Sequence, residues 1–237
     1  MPVVPRAVAL ASLPGALLLA ASLSPARTLA QPGTPRTRVE GVAAWVGGTA
    51  RGVGGVPVLR SDVELRARIH IGRRTGHVEM GPLPPALLAA ALDEIVGEVL
   101  IEREADRLRA ARPSEADVER ERERLDEEAG GERNLSQLVR LLGADPEELV
   151  VIAQRRAYVD AFLRANLEGS TVISDAQVQR AFDAGEHPFV GRPFEEVREV
   201  MRVWLAQRVL SRDVARWIEV LRGRTTVRVL AEWQSDG

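Results

Sequence analysis

PPALLAAALDEIVGEVLIEREADRLRAAR, residues 84–112, opens on two prolines, contains no later one, and has a single internal glycine, Gly97. Leu88, Leu92, Ile95 and Val99 recur at steps of three and four, and Ile101, Ala105 and Leu108 continue the series, which is the spacing of one helical face. Leu87, Val96 and Leu100 widen that stripe, so such a helix can face water on one side only. At ~1.5 Å per residue the run spans about 40 Å, longer than a small domain is wide. Shorter helices must pack on both sides of it. The stretch predicts a helical spine.

The flanking sequence supplies those helices, each announced by its start signal. Ser61-Asp62-Val63-Glu64 reads as a capping box opening a helix to about Arg74. Ser114-Glu115-Ala116-Asp117 opens another to about Ala129, where Gly130-Gly131 stops it. Asn134-Leu135-Ser136-Gln137 opens a short one ending at Gly143. Asp145-Pro146-Glu147-Glu148 places proline in the first turn of a helix reaching Leu167. Ser174-Asp175-Ala176-Gln177 opens one to Ala184. Pro193 begins a last long helix with Val197, Met201, Trp204, Leu205, Trp217, Ile218 and Leu221 as its apolar positions.

Strand signals lie only at the two ends. Residues 39–46 (VEGVAAWV) and 56–59 (VPVL) flank a glycine-rich loop at 47–55, and residues 225–230 (TTVRVL) alternate like a strand. Segments this short are not stable alone, so the N-terminal and C-terminal strands are expected to pair in one small sheet. The loop at 47–55 has neither GxGxxG nor Gly-Lys-Ser/Thr, and reads as a hairpin turn rather than a phosphate cradle. The fold class expected is mainly α (α+β), a helical module around one long helix.

Residues 1–30 read as a secretory signal peptide: Arg6, an apolar segment over 7–21, and Thr28-Leu29-Ala30 as small residues before a cleavage point. That implies export and a soluble mature chain without membrane insertion, since no later run is long and apolar enough to span a bilayer. Residues 31–38 (QPGTPRTR) read as linker.

Composition narrows the function classes. The 237 residues are 45% hydrophobic and 28% charged, ordinary values for a globular chain. Basic and acidic residues number 32 and 34, and every basic residue is arginine. This balance lacks the basic footprint of a nucleic-acid binder. The absence of cysteine removes disulfides, thiol catalysis and thiolate metal sites.

No catalytic, cofactor or metal constellation is legible. HExxH, GxSxG and P-loop patterns are missing. His70 and His77 lie near Glu79 and Met80, but their spacing does not place them on one helical face. Asp93-Glu94 and Glu147-Glu148 are adjacent pairs whose side chains diverge on a helix. The run ERERERL, residues 119–125, reads as a solvated charged face. The chain is expected not to be an enzyme and to carry no cofactor.

The order of the pieces does resemble a known family. VAAWV, then VLRSDV, LxxALDEIVxEVLIEREADRL, SEADVER, GADPEEL and ISDAQVQRAF follow one another as in the N-terminal module of the SurA family of periplasmic chaperones, a relative in style of the trigger factor C-terminal fold. The tail RPFEEVREVMRVWLAQRV…WIEVLRGRTTVRVL looks like the helix and strand that close that module. The resemblance implies a helical chaperone domain over 39–185, completed by a long helix and strand over 193–232. In the family, one or two parvulin isomerase domains sit between these parts; here only a short connection, 186–192, separates them.

The resemblance therefore implies an ATP-independent periplasmic holdase for unfolded outer-membrane protein precursors, without prolyl isomerase activity. Tyr158, Phe162, Met201 and Trp204 are candidates to line a client groove, and equally to be core. Two alternatives stay open: a non-catalytic interaction protein dedicated to one partner in an envelope assembly, and an isomerase-family protein with an unrecognised enzymatic site.

Overall fold

The computed structural model describes residues 41–49, 54–167 and 172–231; the signal and linker readings at 1–30 and 31–38 lie outside these residues. Two short strands, β1 (Val42–Val46) and β2 (Val56–Leu59), lead into α1 (Arg60–Thr75). The central helix α2 (Pro85–Arg107) follows, then α3 (Glu115–Glu128), α4 (Glu132–Leu142), α5 (Pro146–Leu167), α6 (Asp175–Asp183), α7 (Phe194–Arg224) and β3 (Val227–Val229). The architecture is mainly α with one small antiparallel sheet, ordered β2-β1-β3.

The sheet joins the two ends of the described chain. Ala44 faces Val58 on one side and Val229 on the other, and Val46 faces Val56 and Val227. The register of β1 with β2 shifts between Val42 and Ala44, and that bulge lets the consecutive residues Ala43 and Ala44 both be fully buried. The Ala43 carbonyl accepts from the amides of Leu230 (2.8 Å) and Ala231 (3.2 Å). Gly47, Gly48 and Gly54 have φ near +80°, a backbone that suits the β1–β2 turn and disfavours other residues.

Helix α2 is the spine, packing against α1, α5, α7, β1 and β2. Its buried residues include Leu92, Ile95, Val96, Val99, Leu100 and Ala105. It ends at Arg107, short of Arg112, because the chain folds into a Schellman turn: Arg109 adopts φ +54°, its amide donates to Asp106 O, and the Ala110 amide donates to Ala105 O. Pro113 follows and cannot resume the helix. Leu108, placed on the apolar face by spacing, is therefore exposed. The longest described helix is α7, at 31 residues and about 46 Å.

Three cores result. The largest joins the sheet to α2, to Val63 and Ala67 of α1, to Tyr158, Val159 and Phe162 of α5, and to the C-terminal half of α7. A second lies on the opposite face of α1, where Leu65 and Ile69 meet Leu125 of α3, Leu135 and Leu138 of α4, and Leu149 and Ala153 of α5. The third holds α6 to the N-terminal half of α7 through Ile173, Val178 and Met201. Residues 186–192 do no more than turn α6 back onto α7, with His187 stacked on Phe182 and Phe189 against Trp204.

Two helix starts differ from their sequence signals. Helix α1 begins at Arg60, so Ser61 sits inside the first turn; Asp62 accepts the Leu59 amide at 3.4 Å, and Glu64 binds Arg68 instead of capping. Helix α4 begins at Glu132, with Gly131 as N-cap. Asn134 serves other ends: its side-chain amide donates to the carbonyls of Gly76 (3.0 Å) and Gly130 (3.1 Å), closing α1 and α3 together. The Ser114 and Ser174 boxes form as read.

Candidate functional site

Four carboxylates on α2, Glu94, Glu98, Glu102 and Asp106, stand at steps of four and so share one helical face. Arg66 of α1 grips Glu98 with both guanidinium ends, at 2.7 and 3.1 Å, and reaches Glu94 at 3.5 Å. Glu94 also meets His70 Nε2 at 3.0 Å. Arg155 of α5 donates to Glu102 at 3.1 Å. The Tyr158 hydroxyl donates to Asp106 at 3.2 Å, and Arg112 pairs with the same carboxylate at 2.9 Å while lying over the tyrosine ring. The apolar side of α2 faces the core; this acidic side clamps α1 and α5.

A second set of charges lies behind it. Arg156, next to Arg155 but pointing elsewhere, binds Glu128 at 2.8 and 3.0 Å and Glu121 at 3.5 Å. Glu121 is only 4% exposed and Arg66 only 7%. Burial works against the charges of Arg66, Arg156 and Glu128, but their partners outweigh it. Desolvation would lower Arg66, yet Glu98 leaves it raised; desolvation would raise Glu128, yet Arg156 leaves it below the usual carboxylate range. Glu94 is likewise lowered, with His70 and Arg66 overcoming desolvation. These groups hold their charged forms and one another.

Along α5 the seam opens into two adjacent cavities. One, of about 420 Å³, lies between Arg112, Pro113, Val118, Val151 and Tyr158. The other, of about 450 Å³, lies between Pro57, Leu59, Ile95, Val151 and Ile152, with Asp62 and Glu147 at its rim. Val151 and Arg155 border both, so they form one groove along the N-terminal half of α5, crossed by the Arg155–Glu102 pair. Val151, roughly half exposed, offers apolar surface at the crossing. Apolar walls with a charged rim are the chemistry of a site for an extended polypeptide, in which alternate side chains are buried.

The four candidate groove residues are not brought to one surface. Tyr158 and Phe162 belong to the main core, Phe162 with its ring 5.2 Å from Trp217, and Met201 is fully buried beside half-buried Trp204 in the α6–α7 cluster. Only Tyr158 touches the groove. Asp93 and Glu94 do diverge, Asp93 reaching Arg222 at 3.1 Å. The ERERERL run is not a wholly solvated face, since Glu121 and Leu125 are buried. The ladder was readable: Glu94, Glu98, Glu102 and Asp106 keep a four-residue step opposite an apolar stripe, a pattern hidden when only adjacent acids are compared.

Among the described residues no group of His, Asp and Glu is arranged to hold a metal ion, and no helix is long and apolar enough to cross a membrane. No family model matches this chain, and no curated protein matches it.

Proposed function

We propose that this chain is an ATP-independent periplasmic holdase that binds extended segments of unfolded outer-membrane precursors and does not catalyse prolyl isomerisation. The observation that supports the reading is the open groove along α5, with Val118, Val151, Ile152 and Ile95 on its walls and its inner charges engaged with one another. A site of this kind binds through apolar contact and needs no nucleotide. The order of the sequence pieces resembles that of the chaperone module, and residues 186–192 are far too few for a catalytic domain, which requires at least ~40 residues even with staples.

Light scattering on a denatured outer-membrane protein tests the first half: near-stoichiometric protein suppresses aggregation without nucleotide. Unchanged scattering at several-fold excess overturns it. A proline-peptide assay tests the second, because an uncatalysed Xaa-Pro bond takes tens to hundreds of seconds at 25 °C. Acceleration of that rate would establish an isomerase. A dedicated interaction protein is the second reading, favoured by Val200 and Val203, more than half exposed and one turn apart on α7. A single stoichiometric partner recovered from envelope crosslinking, with no aggregation suppression, selects it.

A further inference from the structure

On the far side of α2 from the groove, Arg103 has no ion-pair partner among the described residues, and a second arginine, Arg224, lies close enough to act on the neighbouring Glu104. The cavity it borders, of about 480 Å³, is floored by Leu100 and Leu221 and walled by Glu104, Asp106 and Arg107. Both carboxylates are already held. Glu104 accepts two hydrogen bonds from Arg107, each 2.7 Å, and Asp106 is paired with Arg112 and Tyr158. Arg103 forms no hydrogen bond or ion pair with any described residue. It is half-buried, so its charge is not simply surrendered to water.

Its position is fixed by the sheet. The guanidinium lies flat against Gly47, where a Cβ would stand 2.8 Å from Cζ. Gly47 combines φ +77° with an amide that donates to Thr226 O at 2.7 Å, so the backbone at this point cannot retreat. The left-handed glycine admits the arginine and the paired strands hold it there.

A half-buried guanidinium without a partner among the described residues, beside an apolar floor, suits an anion carrying an apolar group. A phosphate dianion would meet the carboxylates of both Glu104 and Asp106, whereas a carboxylate carries the smaller charge and matches the planar fork of the guanidinium. We propose that this cavity binds the C-terminal residue of a polypeptide, its α-carboxylate on Arg103 and its aliphatic side chain over Leu100 and Leu221. The inference rests on the reading that the clients are polypeptides, and it adds a terminus-specific site separate from the α5 groove.

Fluorescence anisotropy with the full chain and N-terminally labelled decapeptides ending in valine tests it. The free-acid peptide is expected to bind the wild-type protein roughly tenfold or more tightly than its C-terminal amide, the loss that accompanies a charge-assisted hydrogen bond. Arg103→Gln is expected to erase that preference while leaving affinity for the amide unchanged. A third peptide, amidated and with glutamate at its centre, is expected to bind like the plain amide. Equal binding of acid and amide to the wild type overturns the proposal without reference to any variant's folding. So does a preference that survives in Arg103→Gln, and tight binding of the internal-glutamate peptide overturns the assignment to a terminus. Equal acid and amide binding alongside suppressed client aggregation sinks this inference alone; no peptide binding together with unsuppressed aggregation sinks the holdase reading as well.

Discussion

Arg109 is the described non-glycine residue with positive φ, and it occupies the C′ position that ends α2. A left-handed backbone disfavours a residue with Cβ by about 1–2 kcal/mol, an effect partly offset by the greater freedom of glycine in the unfolded chain. Arg109→Gly is therefore expected to raise stability by up to ~1 kcal/mol, read as a higher Tm; an unchanged or lower Tm would mean that the arginine side chain contributes more than the strain removes. Two helical glycines make the opposite kind of case. A Cβ at Gly72 would lie 2.7 Å from the Ala129 carbonyl oxygen, whereas one at Gly97 would meet only the Cδ1 tip of Ile218 at 3.0 Å. Backbone cannot yield as a side-chain tip can. Gly72→Ala is expected to destabilise by about 1–3 kcal/mol through forced separation of α1 and α3. Gly97→Ala is expected to stay within ~1 kcal/mol, because the helix-propensity gain opposes the crowding. Denaturant titration of both variants checks the contrast, and equal effects would contradict it.

Between α1, α2 and α5 the charged seam does what apolar packing does elsewhere. Removing one member leaves a buried charge without its partner, which typically costs about 3–5 kcal/mol. Glu98→Ala, which leaves buried Arg66 only its 3.5 Å contact with Glu94, is expected to fall at the low end of that range, and Arg66→Met with Glu98→Leu to recover most of it. A double variant as unstable as the single one would mean the seam supplies more than charge balance. Acid should loosen the same elements. Glu94 and Glu128 titrate below the ordinary carboxylate value, so each stabilises the fold above about pH 4.3. That contribution is lost as pH falls through the lowered folded values. Stability is expected to drop below about pH 4, and less steeply in Glu128→Gln, which starts about 1–3 kcal/mol lower at neutral pH.

At the scale of the molecule, β3 completes a sheet in which β1 is the middle strand, so the last described strand secures the first. Ending the chain before Thr225 bares one side of β1 and removes the bonds to the Ala43 carbonyl. The truncated protein is expected to melt several degrees lower; an unchanged Tm would deny that the pairing matters. Stability is also uneven along α7. Its C-terminal half is part of the main core, but its N-terminal half shares with α6 a cluster of three buried side chains. Hydrogen exchange is expected to show α6 amides opening at lower free energy than those of α2, since local opening follows buried apolar contact. Comparable protection in the two helices would count against that division.

What the sequence determined by itself was whatever depends on neighbours a few residues apart. The apolar stripe of α2, the serine caps of α3 and α6, the proline-led starts of α5 and α7, and the alternation of the end strands all follow from local geometry. Even the pairing of the distant strands was legible, because isolated strands need partners and only one small sheet could supply them. Tertiary structure decided the rest. The cap shifts of two residues at Ser61 and three at Asn134 came from longer-range demands, such as the joint closure of α1 and α3 by one asparagine. The burial of Glu121 beside Arg156, the scattering of Tyr158, Phe162, Met201 and Trp204 among two cores, and the seating of Arg103 against Gly47 depend on which element arrives opposite which. Hydrophobic periodicity states how far a side chain must turn from water. It does not state what stands on the other side, and charge pairing, cavities and spare cations are properties of that second surface.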